Sequence, residues 1–236
     1  MNTKNFFTKY GFVVLKNFIP PNICDDALKK FNIFNKFLTV KKNKEIVIEK
    51  IKGKNSIKYF KNIDYYIGDF KRFYSNKILD LASNLISNQV YYLNMGLHNK
   101  PPGSIEGTPP HQDNFYWCRK PSDALTAYVA LTEQSYENGG IGYLKKSHLS
   151  KLHTHHKSKV KAFSSYIKLN KKYYNDFFFP KLSIGDVVFH HCKTIHISAP
   201  NKTLDKNRTS LAITIYGNNT KLDKLKQKKY LSNFNK

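Results

Sequence analysis

The sequence predicts an α+β chain, mainly β, whose core is a β-sandwich or barrel with helices packed on it. Two observations carry this. Helical patterning is confined to the first 88 or so residues, and from Gln89 onward the texture changes to short alternating runs between turns. Hydrophobic residues at 40% and aromatics at 14% suffice for a packed interior. At 236 residues, without a repeat or a linker-like stretch, the chain reads as a single domain: a helical part over 1–88, a β core over 89–217 and a polar tail over 218–236.

Taken in order, Phe6–Phe18 reads as a helix or turn followed by a strand centred on Phe12-Val13-Val14-Leu15. Pro20-Pro21-Asn22 opens a helix to Phe37, with Asp25 and Asp26 in its first turn. Lys41–Lys61 alternates Lys with Ile and Val, predicting a hairpin that turns at Gly53-Lys54-Asn55. Phe70, Phe73, Ile78, Leu81 and Leu85 recur at helical spacing and predict one helix over Ile67–Ile86. Strands follow at Val90–Met95, Ala124–Leu131, Ile141–Leu144, Val187–His190 and Thr209–Tyr216, with another starting near His196. In Ala124–Leu131 and Thr209–Tyr216 apolar residues occupy alternate positions, so each strand has one core face. The Lys-rich tail beyond Asn218 is expected to fray.

Lys and Arg total 40 against 16 Asp and Glu, a formal net charge of +24. Lysines spread end to end among Asn and Ile fit the bias of an AT-rich genome better than a nucleic-acid footprint, which concentrates charge on one face. An anionic small molecule is compatible with that charge. Arginine is scarce, occurring at 72, 119 and 208, so each guanidinium invites a reason for its forked geometry. Three cysteines without metal-type spacing argue for a reducing compartment, and no secretory or membrane-spanning run is visible; a cytoplasmic protein is expected.

The chemistry centres on His111-Gln112-Asp113. On an extended backbone, side chains two residues apart share a face, so His111 and Asp113 can grip one side of a metal ion. His196 is the best third donor, and Arg208 follows twelve residues later. Two His and one carboxylate, with the opposite positions open, is the non-haem iron(II) oxygenase arrangement. The same parity puts Phe115 and Trp117 on the ligand side as candidate substrate-pocket walls. Gln112 and Asn114 point away, into structural roles. His153, His155 and His156 read as a solvated basic loop near the entrance, and one of His190 and His191 as a buried, hydrogen-bonded histidine.

Over Tyr91–Tyr216 the chain resembles the phytanoyl-CoA dioxygenase-like iron(II)/2-oxoglutarate oxygenases. The resemblance rests on His111-Gln112-Asp113, on Tyr128-Val129-Ala130-Leu131, on Glu137-Asn138-Gly139-Gly140 through Ser147-His148, on Gly185-Asp186-Val187-Val188-Phe189-His190 with His196, and on Arg208, in that order. It implies a double-stranded β-helix (jelly-roll, cupin-like) core. It also implies Fe(II) held by His111, Asp113 and His196, with 2-oxoglutarate and O₂ as cosubstrates. Arg208, joined by Ser198, Ser210 and Tyr128, would hold the cosubstrate's far carboxylate. The reaction implied is hydroxylation of a small organic molecule with release of succinate and CO₂; a small residue in place of Asp113 would instead suggest halogenation. Lys145-Lys146 departs from the family's Pro-Gly, and Tyr128 stands where Trp is frequent. Specificity is expected in Lys41–Lys61 and Lys151–Lys181. The competing readings are a non-catalytic jelly-roll that binds a sugar-type ligand and a basic nucleic-acid-binding module.

Overall fold

The computed structural model describes residues 2–37 and 43–234. Alternation gives its central strands two distinct faces. In Arg208–Gly217, Leu211, Ile213 and Ile215 enter the main apolar core, while Arg208, Ala212 and Thr214 line a cavity on the other side. Ala124–Ala130 repeats this, with Leu125, Ala127 and Val129 in the core and Thr126 and Tyr128 on the cavity.

These strands belong to a seven-stranded antiparallel sheet. Its order is Phe12–Leu15, Val187–His191, Ala124–Ala130, Arg208–Gly217, Val90–Lys100, Lys54–Lys61 and Ile46–Ile51. A four-stranded sheet faces its cavity side, in the order Phe177–Phe178, Ile141–Leu144, His196–Ser198, Thr108–His111. Together they form the expected jelly-roll, closed on the other face by helices Thr3–Tyr10, Pro21–Phe37 and Asn76–Ile86. Phe7, Phe31, Ile78, Ala82 and Leu85 from those helices share one buried cluster with Met95, Leu97 and Ile213 of the sheet.

Several elements differ from expectation. Residues before 89 supply three of the large sheet's strands, the expected strand at Phe12–Leu15 and the two arms of the expected hairpin, so the label of a helical part covers only the rest of that stretch. The hairpin forms as Ile46–Ile51 and Lys54–Lys61, turning at Lys52-Gly53; Lys41 and Lys42, the start of its expected range, lie outside the described residues. The Pro21–Phe37 helix begins at Pro21, so Asp25 and Asp26 fall in its second turn. The single helix expected over Ile67–Ile86 is instead a 3₁₀ segment, Gly68–Tyr74, and an α-helix, Asn76–Ile86, broken at Ser75, whose extended backbone (φ −62°, ψ 163°) cannot continue a helix. The tail does not fray as a whole: Lys224–Phe234 is helical, with Tyr230 and Phe234 packed edge-on against Phe115. Lys146, at the position where the resemblance expects glycine, adopts φ +66°, the left-handed region that glycine enters most readily.

Candidate metal centre

The site begins with two strands of the smaller sheet. Thr108–His111 and His196–Ser198 are antiparallel neighbours, and the register sets His111 opposite His196, with ring centroids 4.1 Å apart. Gln112 is extended (φ −123°, ψ 126°), which carries Asp113 back to the same side before a short helix, Asp113–Trp117, starts. One donor atom from each of His111, Asp113 and His196 lies within 4.8 Å of the other two. The Nε2 atoms of His111 and His196 stand 3.7 and 3.6 Å from Asp113 Oδ1.

Proton placement suits an ion. His111 Nδ1 is 2.8 Å from the Pro109 carbonyl and His196 Nδ1 is 3.0 Å from that of Thr194. A carbonyl only accepts, so each Nδ1 carries the proton and each Nε2 turns a lone pair inward. Burial holds both imidazoles below the usual histidine range, and so neutral. Burial also works against ionisation of Asp113, yet its carboxyl stays below the ordinary range, with a hydrogen bond from His190 favouring the charged form. Two neutral imidazoles and one carboxylate on one side of a cavity fit a divalent cation with open positions opposite.

That cavity, about 390 Å³, opens between the sheets. At one end lies Arg208, buried, whose Nε donates to the Gly139 carbonyl at 3.0 Å and whose Nη1 donates to Ser210 Oγ at 3.2 Å. Ser198 also lines it. Tyr128 lines it too, but its hydroxyl donates to Gln134 Oε1 at 2.8 Å and not toward Arg208. Lys100, which no sequence pattern singled out, is buried beside this end and donates to Ser198 Oγ and the Ala199 carbonyl at 2.7 and 2.6 Å. It is the direct cross-strand partner of Arg208.

The family model described as phytanoyl-CoA dioxygenase (PhyH) matches residues 7–210. The chain belongs to the phytanoyl-CoA dioxygenase family. Among curated relatives of this family member, a probable alpha-ketoglutarate-dependent hypophosphite dioxygenase of Stutzerimonas stutzeri is 28% identical over 176 residues, covering 71% of this chain. The peroxisomal phytanoyl-CoA dioxygenase of Homo sapiens is 28% identical over 228 residues, covering 86% of it. The chain spans 58% and 64% of the length of these two relatives. Among solved structures, the epimerase SnoN in complex with Fe3+, alpha ketoglutarate and nogalamycin RO superposes with a TM-score of 0.73 at 18% identity, covering 92% of this chain and 83% of that one. The non-heme monooxygenase ThoJ gives 0.75 at 20%, covering 94% and 79%. At such identities these likenesses bear on the fold alone.

Within this family member, two sequence expectations need correction. Strand parity does not continue past Asp113, because a helix starts there. Its 3.6-residue period carries Tyr116 and Trp117, three and four residues on, to the cavity, and turns Phe115 away. Phe115 instead stacks on His155 at 3.8 Å and 11°. His155 is accordingly not part of a solvated loop: it is buried, and its Nε2 accepts the Gln112 backbone N–H at 3.3 Å, steadying the residue between the two ligand candidates. Gln112 and Asn114 hold structural bonds as expected, Gln112 to the Lys193 carbonyl and Asn114 to the Arg119 carbonyl and Ser122. Tyr230 and Tyr59 were also not singled out as site residues, yet both line the cavity. Tyr230 carried no signal, since it lies in a polar tail beyond the matched residues.

Proposed function

We propose that the protein is a non-haem Fe(II)- and 2-oxoglutarate-dependent dioxygenase that hydroxylates a small organic substrate. His111, Asp113 and His196 would hold the iron, and Arg208 the cosubstrate's distal carboxylate. The observation that carries this is the convergence of two deprotonated Nε2 atoms on Asp113 Oδ1, each imposed by a backbone carbonyl behind its ring. Iron supplies the oxidising power of such a site, using O₂ and 2-oxoglutarate and releasing succinate and CO₂.

The chain's own residues bind, orient and exclude water. Arg208 offers a planar fork to a carboxylate, in charge-assisted hydrogen bonds roughly twice as strong as neutral ones. Ser210 and the Gly139 carbonyl fix that fork in place. Ser198 and Lys100 add a hydroxyl and a second cation at the same end. Tyr116, Trp117, Phe163 and Tyr230 wall the other part of the cavity with apolar surface that keeps water from the reacting carbon.

A cavity of about 390 Å³ that must also admit 2-oxoglutarate favours a small substrate. Lys61 lies on the lining, and Asp113, committed to the metal, is the acid there, so an anionic substrate suits the site better than a cationic one. One relative is named for hypophosphite, a small anion. Three free cysteines accord with a cytoplasmic setting and a single reduced domain.

Anaerobic addition of Fe(II) and then 2-oxoglutarate tests the assignment. A weak visible charge-transfer band is expected, abolished in His111→Ala. A protein that shows no band and releases no succinate with any substrate class is instead a binding jelly-roll.

A further inference from the structure

Asp113 has two carboxylate oxygens, and the structure treats them differently. Oδ1 faces the Nε2 atoms of His111 and His196. Oδ2 accepts a hydrogen bond from Thr126 Oγ1 at 2.8 Å and lies 3.1 Å from His190 Nε2. His190 and Thr126 are direct cross-strand partners in the large sheet, so the ladder itself brings both donors to one oxygen.

With His190 in its neutral form, its neighbours select one tautomer. An ionised carboxylate only accepts, so His190 Nε2 carries the hydrogen and Nδ1 is left as an acceptor. The Tyr143 hydroxyl, 3.1 Å from Nδ1, then donates to it. Tyr143 is fully buried, its ring stacked on Phe12 at 4.7 Å and 15°, and Phe12 in turn pairs with His190 across the ladder. The chain runs one way: Tyr143 O–H to His190, and His190 N–H to Asp113. His190 does not belong to the set of donor atoms within mutual ligand range, so it acts through Asp113.

We propose that His190 is a positioning residue which, with Thr126, occupies Oδ2 of Asp113 and confines that carboxylate to one oxygen on the metal. The inference rests on the iron reading above. A carboxylate free to rotate can chelate through both oxygens, taking a coordination position that a chelating 2-oxo acid and O₂ require. Two donors on Oδ2, one locked by Tyr143, oppose that rotation and set the ligand's direction before an ion arrives.

Anaerobic Co(II) titration of the purified protein is the test, because the visible bands of Co(II) report both affinity and coordination number without turnover. His190→Phe keeps a ring and removes the donor; it should weaken Co(II) binding about 10- to 100-fold and change the band pattern. His190→Gln, whose amide can still donate, should lie closer to the parent, and Tyr143→Phe should shift the same way as His190→Phe by less. A folded His190→Phe with parental affinity and spectrum overturns the proposal. Should that variant fail to fold, Thr126→Val and Tyr143→Phe decide: a weakened site in either supports it, parental behaviour in both overturns it. A parent protein that takes up no Co(II) sinks the iron reading together with this inference, whereas parental behaviour confined to the variants sinks this inference alone.

Discussion

Lys100 and Arg208 face each other directly across the ladder that pairs Val90–Lys100 with Arg208–Gly217, two buried basic side chains side by side. Like charges in opposed positions destabilise a sheet, and no acid is bonded to either among the described residues. The arrangement makes sense when an anion lies between them. Lys100→Met should therefore raise the dissociation constant for 2-oxoglutarate about 10- to 100-fold, the range of a lost charged hydrogen bond. It should leave the apo protein no less stable. Anaerobic titration and thermal melts measure the two.

The same pair predicts a pH dependence. Burial, then Arg208, pushes the Lys100 ammonium well below the ordinary lysine range. A lysine with a depressed folded pKa sheds its proton in the native state first, so apo stability rises with pH from that pKa toward the unfolded value. Dianion binding goes the other way: it needs the charged form and should weaken as pH climbs through the same interval. In Lys100→Met the decline should disappear. A parental affinity flat with pH in that interval would count against a charged Lys100 in the site.

Tyr59 lies over Gly96, another inner-face position. A Cβ there would stand 2.7 Å from Tyr59 Cε2 and 2.9 Å from its hydroxyl. Gly96→Ala should push the ring into the cavity, costing roughly 1–3 kcal/mol of stability and raising the KM of any substrate found. Adding Tyr59→Ala should cancel much of the stability loss. Additive single and double variants in melts would show that the two residues are uncoupled.

Phe115 joins the Asp113–Trp117 helix to the C-terminal helix through Tyr230 and Phe234. Phe115→Ala should lower stability by roughly 1–3 kcal/mol, less than a fully buried phenylalanine would. Amide exchange across Lys224–Phe234 should accelerate selectively. Unchanged protection in that helix would show that it is held elsewhere.

Gly185 has φ +83°, and a Cβ there would meet the Ile19 carbonyl oxygen at 2.0 Å. Neither segment can yield freely, since Ile19 N–H bonds back to the Gly185 carbonyl at 2.9 Å. Gly185→Ala should cost about 2 kcal/mol or more in denaturant unfolding, without altering the metal donors.

Local signals read well where one backbone state governs the side chains. Alternation in Ala124–Ala130 and Arg208–Gly217 sorted their residues onto two faces correctly because a strand's period is fixed, and packing decided which face is the core. Parity misled at Phe115, though Trp117 does reach the cavity, because a five-residue helix starts within the motif, too short to announce itself in seven residues of sequence. His155 was misread for a similar reason: a histidine in a basic run looks solvated until a ring such as Phe115 is stacked on it.

The sequence by itself determined the family, the jelly-roll and the identity of the candidate donors. His-x-Asp, a distant His and a scarce Arg are distinctive as residue types and keep their order along the chain. Only the tertiary structure picked out Lys100 from the many lysines, gave His190 its bond to Asp113 and brought Tyr230 to the cavity. Each of those roles depends on strand register or on the packing of a remote helix. Register and packing emerge from the whole core at once, so no local stretch of residues encodes them.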